Sequence, residues 1–230
     1  MPDSSDNNNR RKDEAVATAA RVLAAGGIVV YPTETLYALG ADACNAAALQ
    51  RLMELKVREA GKPVAVLIDG SHMLRGLAAE IAPQAEVLAR RFWPGPLTLV
   101  LRARAAVSPA LTGGGDGIGV RLSSHPAAAA LVRALGRPVT ASSANPAGMP
   151  PPVCVDQARV YFGACVDYYL DGGRLCGEPA STVVDVRAGV QVIREGAVPT
   201  EDIRAALRPE RDTSSLSLQE RGGGRGSDDA

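Results

Sequence analysis

The chain has 230 residues, 46% of them hydrophobic, and at roughly 100–200 residues per domain that length predicts one domain with a sizeable core. Its 25 basic residues balance 25 acidic ones, which argues against a dedicated nucleic-acid binder and makes any cationic site local. No apolar stretch approaches the roughly 20 residues that span a bilayer, and the start MPDSSDNNNRRKDE lacks a signal-type apolar region, so a soluble, cytoplasmic protein is expected, with no membrane partner. Residues 1–12 are polar with almost nothing to bury, and they are expected to form a disordered tail. Asp13 then caps a predicted helix that ends at Gly26-Gly27, and Ile28 to Tyr31 reads as a buried strand closed by Pro32.

A second helix is predicted over 46–56, followed by a strand from Pro63 to Ile68 whose unbroken apolar run suggests burial on both faces. The pattern continues with a helix over 82–91, the turn Pro94-Gly95-Pro96 and a strand over 97–101. Further strands are predicted over 119–122, 138–141, 166–170, 182–186 and 190–194, with helices over 126–135, 155–162 and 200–207. Residues 209–230, ending RGGGRGSDDA, read as a second disordered tail. Strands interleaved with helices over 13–208 predict an α/β domain built on a large, mostly mixed sheet.

Several familiar chemistries are missing. No GxxxxGK[ST] holds a phosphate, and the run from Gly113 to Gly119 does not fit GxGxxG, so it reads as a flexible loop. The four cysteines are widely spaced and read as buried or idle thiols in a reducing compartment. Only two histidines are present, too few for a multi-histidine metal site. His72 follows Ser71 at a predicted helix start and His125 precedes Pro126 at another, so helix capping or a surface position explains both better than catalysis.

What remains is a set of polar segments at the ends of predicted elements: Tyr31 to Thr35, Lys56-Val57-Arg58 with Lys62, Gly119 to Arg121, Ser142 to Pro146, and Ser181-Thr182 with Val192 to Gly196. An α/β sheet presents such ends to a crevice. Their guanidinium, ammonium, hydroxyl and amide groups suit the phosphates of a nucleotide. Two of these segments also have a plainer reading: Lys56 and Arg58 complement a helix dipole at its C-terminus, and Ser-Ser-Ala-Asn-Pro makes a turn.

In their order and spacing, GGIVVYPTETLYALGADA, LMELKVREAGKPVAVLI, FWPGPLTLVL, GIGVRLSSHP, SSANPAG, STVVDV and IREG resemble the YrdC family of threonylcarbamoyl-AMP synthases. The resemblance implies a twisted α/β sheet curved around a positively charged cavity. It also implies the condensation of L-threonine, bicarbonate and ATP into threonylcarbamoyl-adenylate and pyrophosphate, with magnesium carried by the ATP phosphates and no metal held by the protein. A downstream transferase would then move the group onto the tRNA adenosine beside the anticodon, and weak tRNA or double-stranded RNA binding is a further expectation. By the same resemblance Lys56, Arg58, Ser143 and Asn145 are expected around the nucleotide phosphates and in catalysis, Lys62 and Arg194 at the nucleotide, and Thr35, Arg121 and Ser181 at the threonine.

The chain departs from the family pattern at Val57 and Glu59, which stand where glycine and proline are usual. It departs again at Ala38, which replaces a glycine, and at Leu67, which stands where some members have histidine. Glu59 matters most, because a carboxylate turned toward phosphate would repel it. Two other readings stay open: a paralogue of the same fold with a different substrate, such as a carbamoyl-transfer module, and an RNA-binding module, whose affinity would fall steeply with salt.

Overall fold

The computed structural model describes residues 4–56, 61–177 and 179–208; side chains are described from residue 7. Arg58, with Val57 and Glu59, and the expected C-terminal tail therefore lie outside the described residues. Helix α1 (Ser4–Ala24) begins well before Asp13, which corrects both the expected cap and the unstructured reading of residues 4–12. Burial is confined to its later turns, at Val16, Ala19, Ala20 and Leu23, an i, i+3, i+4, i+7 stripe. Once that stripe has nucleated the helix, polar residues upstream extend it without burying anything. Asp13 stands just before the buried stripe and marks where burial starts, not where the helix does.

The other elements in order are β1 (Val29–Pro32), β2 (Tyr37–Gly40), α2 (Ala46–Lys56), β3 (Val66–Leu67), α3 (Ser71–Leu77), α4 (Pro83–Phe92), β4 (Leu97–Arg102) and α5 (Pro109–Thr112). They are followed by β5 (Gly117–Arg121), α6 (Pro126–Leu135), β6 (Val139–Thr140), β7 (Ser142–Ser143), α7 (Val155–Phe162), β8 (Tyr168–Tyr169), β9 (Thr182–Asp185), β10 (Gln191–Arg194) and α8 (Thr200–Ala206). Helices α2, α6 and α7 fall on their predicted spans.

The strands form two mixed sheets where one large sheet was expected. A four-stranded sheet has the order β7-β2-β1-β8, and a six-stranded sheet the order β10-β9-β4-β5-β3-β6. The chain passes between them at Ala141, which separates β6 of the larger sheet from β7 of the smaller. Thr140 stitches the crossing, its carbonyl accepting from the Tyr31 hydroxyl at 2.8 Å and its own hydroxyl accepting from the Ala41 N–H at 2.8 Å. Burial of Tyr31 raises its hydroxyl far above the ordinary tyrosine value, so it remains a donor.

The glycine run also differs from expectation. Gly113 and Gly114 turn the chain after α5 with φ of 65° and 79°, but Gly117 to Gly119 belong to β5. His125 caps α6, its Nδ1 accepting from the Ala127 N–H at 3.2 Å. His72 lies at the surface, 3.2 Å from Asp69. All four cysteines are free; of the two expected alternatives, buried or idle, burial does not hold for Cys44, Cys165 and Cys176, which are exposed, and Cys154 is half-buried. Among the described residues no helix is long and apolar enough to cross a membrane.

Candidate active site

Strand alternation builds the floor of a cavity of about 250 Å³. On one face of the larger sheet, β4 contributes Thr98 and Val100, β5 contributes Gly117, Gly119 and Arg121, and β9 with its lead-in contributes Ser181 and Val183. The walls are Pro63 to Ala65, entering β3, and Ala141 to Ser143, where the chain changes sheets. Glycine keeps the floor low: a Cβ on Gly119 would stand 3.2 Å from that of Ala65, and the wall would have to give by a few tenths of an ångström.

Arg194 reaches the cavity through an irregularity in β10. Val192 pairs with Val184, but the next pairing on β9, Val183, is with Arg194, so Ile193 is an extra residue. Without that bulge Ile193 would oppose Val183 and Arg194 would turn to the opposite face. With it, Ile193 is 56% exposed and the Arg194 guanidinium donates to the Ser181 carbonyl at 2.8 Å. Burial, and secondarily the positive charge of Arg121, pull the Arg194 guanidinium below its ordinary pKa.

Arg121 is 6% exposed and is held by a carboxylate. Its Nη2 lies 2.8 Å from Glu34 Oε2, while the Ser123 hydroxyl and the Ser124 N–H also donate to Glu34. Burial alone would raise the Glu34 carboxyl, but the Arg121 charge and these hydrogen bonds outweigh it and hold the group below the ordinary value. Thr35 approaches the same guanidinium at 3.4 Å, on a turn that Thr33 fixes by accepting from the Thr35 and Leu36 N–H groups. The Arg121 Nε is buried and has no partner.

Behind Ser143, Lys56 donates to the Ser143 carbonyl at 2.6 Å and the Asn145 carbonyl at 2.5 Å. Asn145 directs its amide nitrogen to the carbonyls of Pro146 and Met149. Two carbonyl partners fix the amide orientation, leaving Oδ1 buried and unpartnered. The open atom of Asn145 is thus an acceptor.

Arg121, Ser143, Ser181 and Arg194 therefore line one cavity, with Thr35 against Arg121 and Lys56 and Asn145 supporting the Ser143 wall. Lys62 is exposed beside the lining residue Pro63. Sequence reasoning did not single out Glu34, Ser123 or Thr98. Thr98, whose hydroxyl lies 2.9 Å from that of Ser181, is the one polar residue in LTLVL, and Glu34 is the one charge between Ile28 and Ala41, a largely buried stretch. Among the described residues no group of three or more His, Cys, Asp or Glu is placed to hold a metal ion.

A family model covering Sua5, YciO and YrdC proteins, described as "Telomere recombination", matches residues 21–196. The chain belongs to the Sua5/YciO/YrdC family. Within that family it is 39% identical over 190 residues to the threonylcarbamoyl-AMP synthase of Pyrococcus abyssi, covering 82% of this chain and 56% of that protein. It is 41% identical over 164 residues to the threonylcarbamoyl-AMP synthase of Thiobacillus denitrificans, covering 71% of this chain and 87% of the relative. The crystal structure of P. abyssi Sua5 complexed with L-threonine superposes with a TM-score of 0.81 at 38% identity, over 84% of this chain and 57% of that one. This Sua5/YciO/YrdC chain thus spans a little over half the length of its P. abyssi relative.

Proposed function

We propose that this chain is an L-threonylcarbamoyladenylate synthase, a nucleotidyltransferase that joins L-threonine, bicarbonate and ATP and releases pyrophosphate. The observation that carries the reading is the meeting of Arg121 and Arg194 in one cavity with the hydroxyls of Ser143 and Ser181. Burial, and after it the charge of Arg121, lowers the Arg194 pKa, and an anion between the two guanidinium groups relieves that repulsion. The relatives named threonylcarbamoyl-AMP synthase, and the P. abyssi Sua5 complex with L-threonine, support the choice of anions.

In this reading Arg121, Thr35 and Ser181 receive the amino acid, and Arg194, Ser143, Lys62 and Arg58 receive the nucleotide, with magnesium entering as part of the MgATP substrate. Lys56 and Asn145 shape the Ser143 loop. No general base is needed at phosphorus, because the carbamate formed from threonine and bicarbonate is already an anionic nucleophile. The protein contributes proximity and fixed positive charge. The reading extends to residues 13–208 as the catalytic domain and to a cytoplasmic place upstream of a transferase acting on tRNA adenosine.

Mass spectrometry of the product after incubation with ATP, bicarbonate and threonine tests the assignment. Threonylcarbamoyl-AMP is expected, and it should be lost in degassed buffer without bicarbonate. Equal product without bicarbonate would overturn the carbamate mechanism.

A further inference from the structure

Two guanidinium groups face one cavity, but they are not electrostatically equivalent. The Arg121 charge is matched by Glu34 at 2.8 Å, whereas no ion pair among the described residues includes Arg194. Glu34 is held rigidly, with one oxygen taking Ser123 and Arg121 and the other taking the Ser124 N–H. We propose that Glu34 is a specificity-determining residue, keeping Arg121 for a singly charged carboxylate and confining phosphate to the Arg194 side of the cavity. The proposal rests on the synthase reading and adds to it how one cavity sorts two anions.

The reason is in the product of charges. At equal distance an unpaired guanidinium attracts a dianionic phosphate about twice as strongly as a monoanion, so two bare arginines would both recruit phosphate. A carboxylate fixed beside one of them repels the dianion in the same proportion and cancels that advantage. Hydrogen-bond geometry then decides the occupant, and the buried, unpartnered Arg121 Nε offers a donor that suits a planar carboxylate. Specificity obtained by placing a repelling group against the unwanted ligand is a general device of recognition. The remaining charge facing Glu34 is that of His125 when protonated; burial, opposed by Glu34 itself, lowers the pKa of His125 and favours its neutral form.

Isothermal titration of inorganic pyrophosphate into the full chain reads the sorting without requiring turnover. Glu34→Gln is expected to bind pyrophosphate about tenfold more tightly than the unaltered protein, since a bare Arg121 adds a second anchor. Pyrophosphate should then also compete with threonine, and threonine KM should rise. The double variant Glu34→Gln/Arg121→Gln, which leaves no unpaired buried charge, is expected to return to the original pyrophosphate affinity. Unchanged pyrophosphate affinity in Glu34→Gln, with only weakened threonine binding, would reduce Glu34 to a structural clamp and overturn the proposal. Should Glu34→Gln alone fail to fold, the charge-balanced double variant decides: an affinity for pyrophosphate within about twofold of the original supports the proposal, and a tenfold loss, which would mean that Arg121 itself anchors phosphate, overturns it. A protein that makes no threonine-dependent adenylate would sink the synthase reading, while the pyrophosphate series would still judge Glu34.

Discussion

Lys56 illustrates how a residue chosen for one chemistry can be committed to another. Lys56 is 6% exposed and its ammonium donates to the carbonyls of Ser143 and Asn145, so it shapes the loop that presents the Ser143 hydroxyl. Lys56→Met should leave the Asn145 carbonyl without its ammonium donor, at about 1–3 kcal/mol for a buried polar group, while the Ser143 carbonyl keeps the Asn145 N–H at 2.9 Å. The expected outcome is a stability loss of about 1–3 kcal/mol, read from denaturant midpoints, together with loss of adenylate formation. Retained stability with lost activity would instead assign the ammonium directly to phosphate. Tyr37 shows the same principle without a charge. Its hydroxyl donates to the Gly173 carbonyl at 2.7 Å and accepts from the Gly172 N–H at 3.0 Å. Burial pushes its pKa up to about 12, so the hydroxyl is protonated at neutral pH.

At the scale of elements, the bulge in β10 makes a direct prediction. Exchanging the two side chains by Ile193→Arg/Arg194→Ile should send the guanidinium to the exposed face occupied by Ile193. Activity is expected to fall about 10²–10³-fold, the scale on which removing one preorganised charge donor acts, while the thermal midpoint changes little because neither side chain belongs to the hydrophobic core. Activity within tenfold of the original would mean that Arg194 does not touch the reacting anions. A second tie joins three elements: Arg51 of α2 donates to Asp167 at 2.7 Å, just before β8, and Asp167 accepts the Ile28 N–H at 2.7 Å, just before β1. The Arg51 hydrogen bond holds the Asp167 carboxyl below its ordinary value; burial opposes this and the Ile28 N–H adds to it. A depressed carboxyl contributes stability that is present above its unfolded pKa of about 3.9 and is lost as pH falls through the folded value. Asp167→Asn should therefore destabilise the protein at pH 7 and lose that effect in acid below pH 4, measured as urea midpoints across the range. An equal deficit at both pH values would show that the contribution is steric.

At the scale of the whole molecule, 25 basic and 25 acidic residues give tRNA no general field to follow. If RNA contact is limited to a few phosphates, the slope of log affinity against log salt stays shallow, each neutralised phosphate adding about 0.9 on duplex. Filter binding of tRNA between 50 and 200 mM salt should show less than a tenfold loss; a loss of a thousandfold would favour the RNA-binding module. The sequence by itself determined the alternation of helices and strands, the spans of α2, α6 and α7, and the family, because burial periodicity, turn residues and motif spacing are local properties of the chain. It also placed most of the residues now found around the cavity, since motifs at strand ends are legible without knowing which strands pair. The division into two sheets at Ala141, the short strands β2 and β7, the bulge that turns Arg194 inward and the pairing of Glu34 with Arg121 were decided only in the tertiary structure. Each depends on partners far along the chain, as with Glu34 and Ser124, 90 residues apart, and residues in a strand of two or four carry no period that identifies the strand they will join.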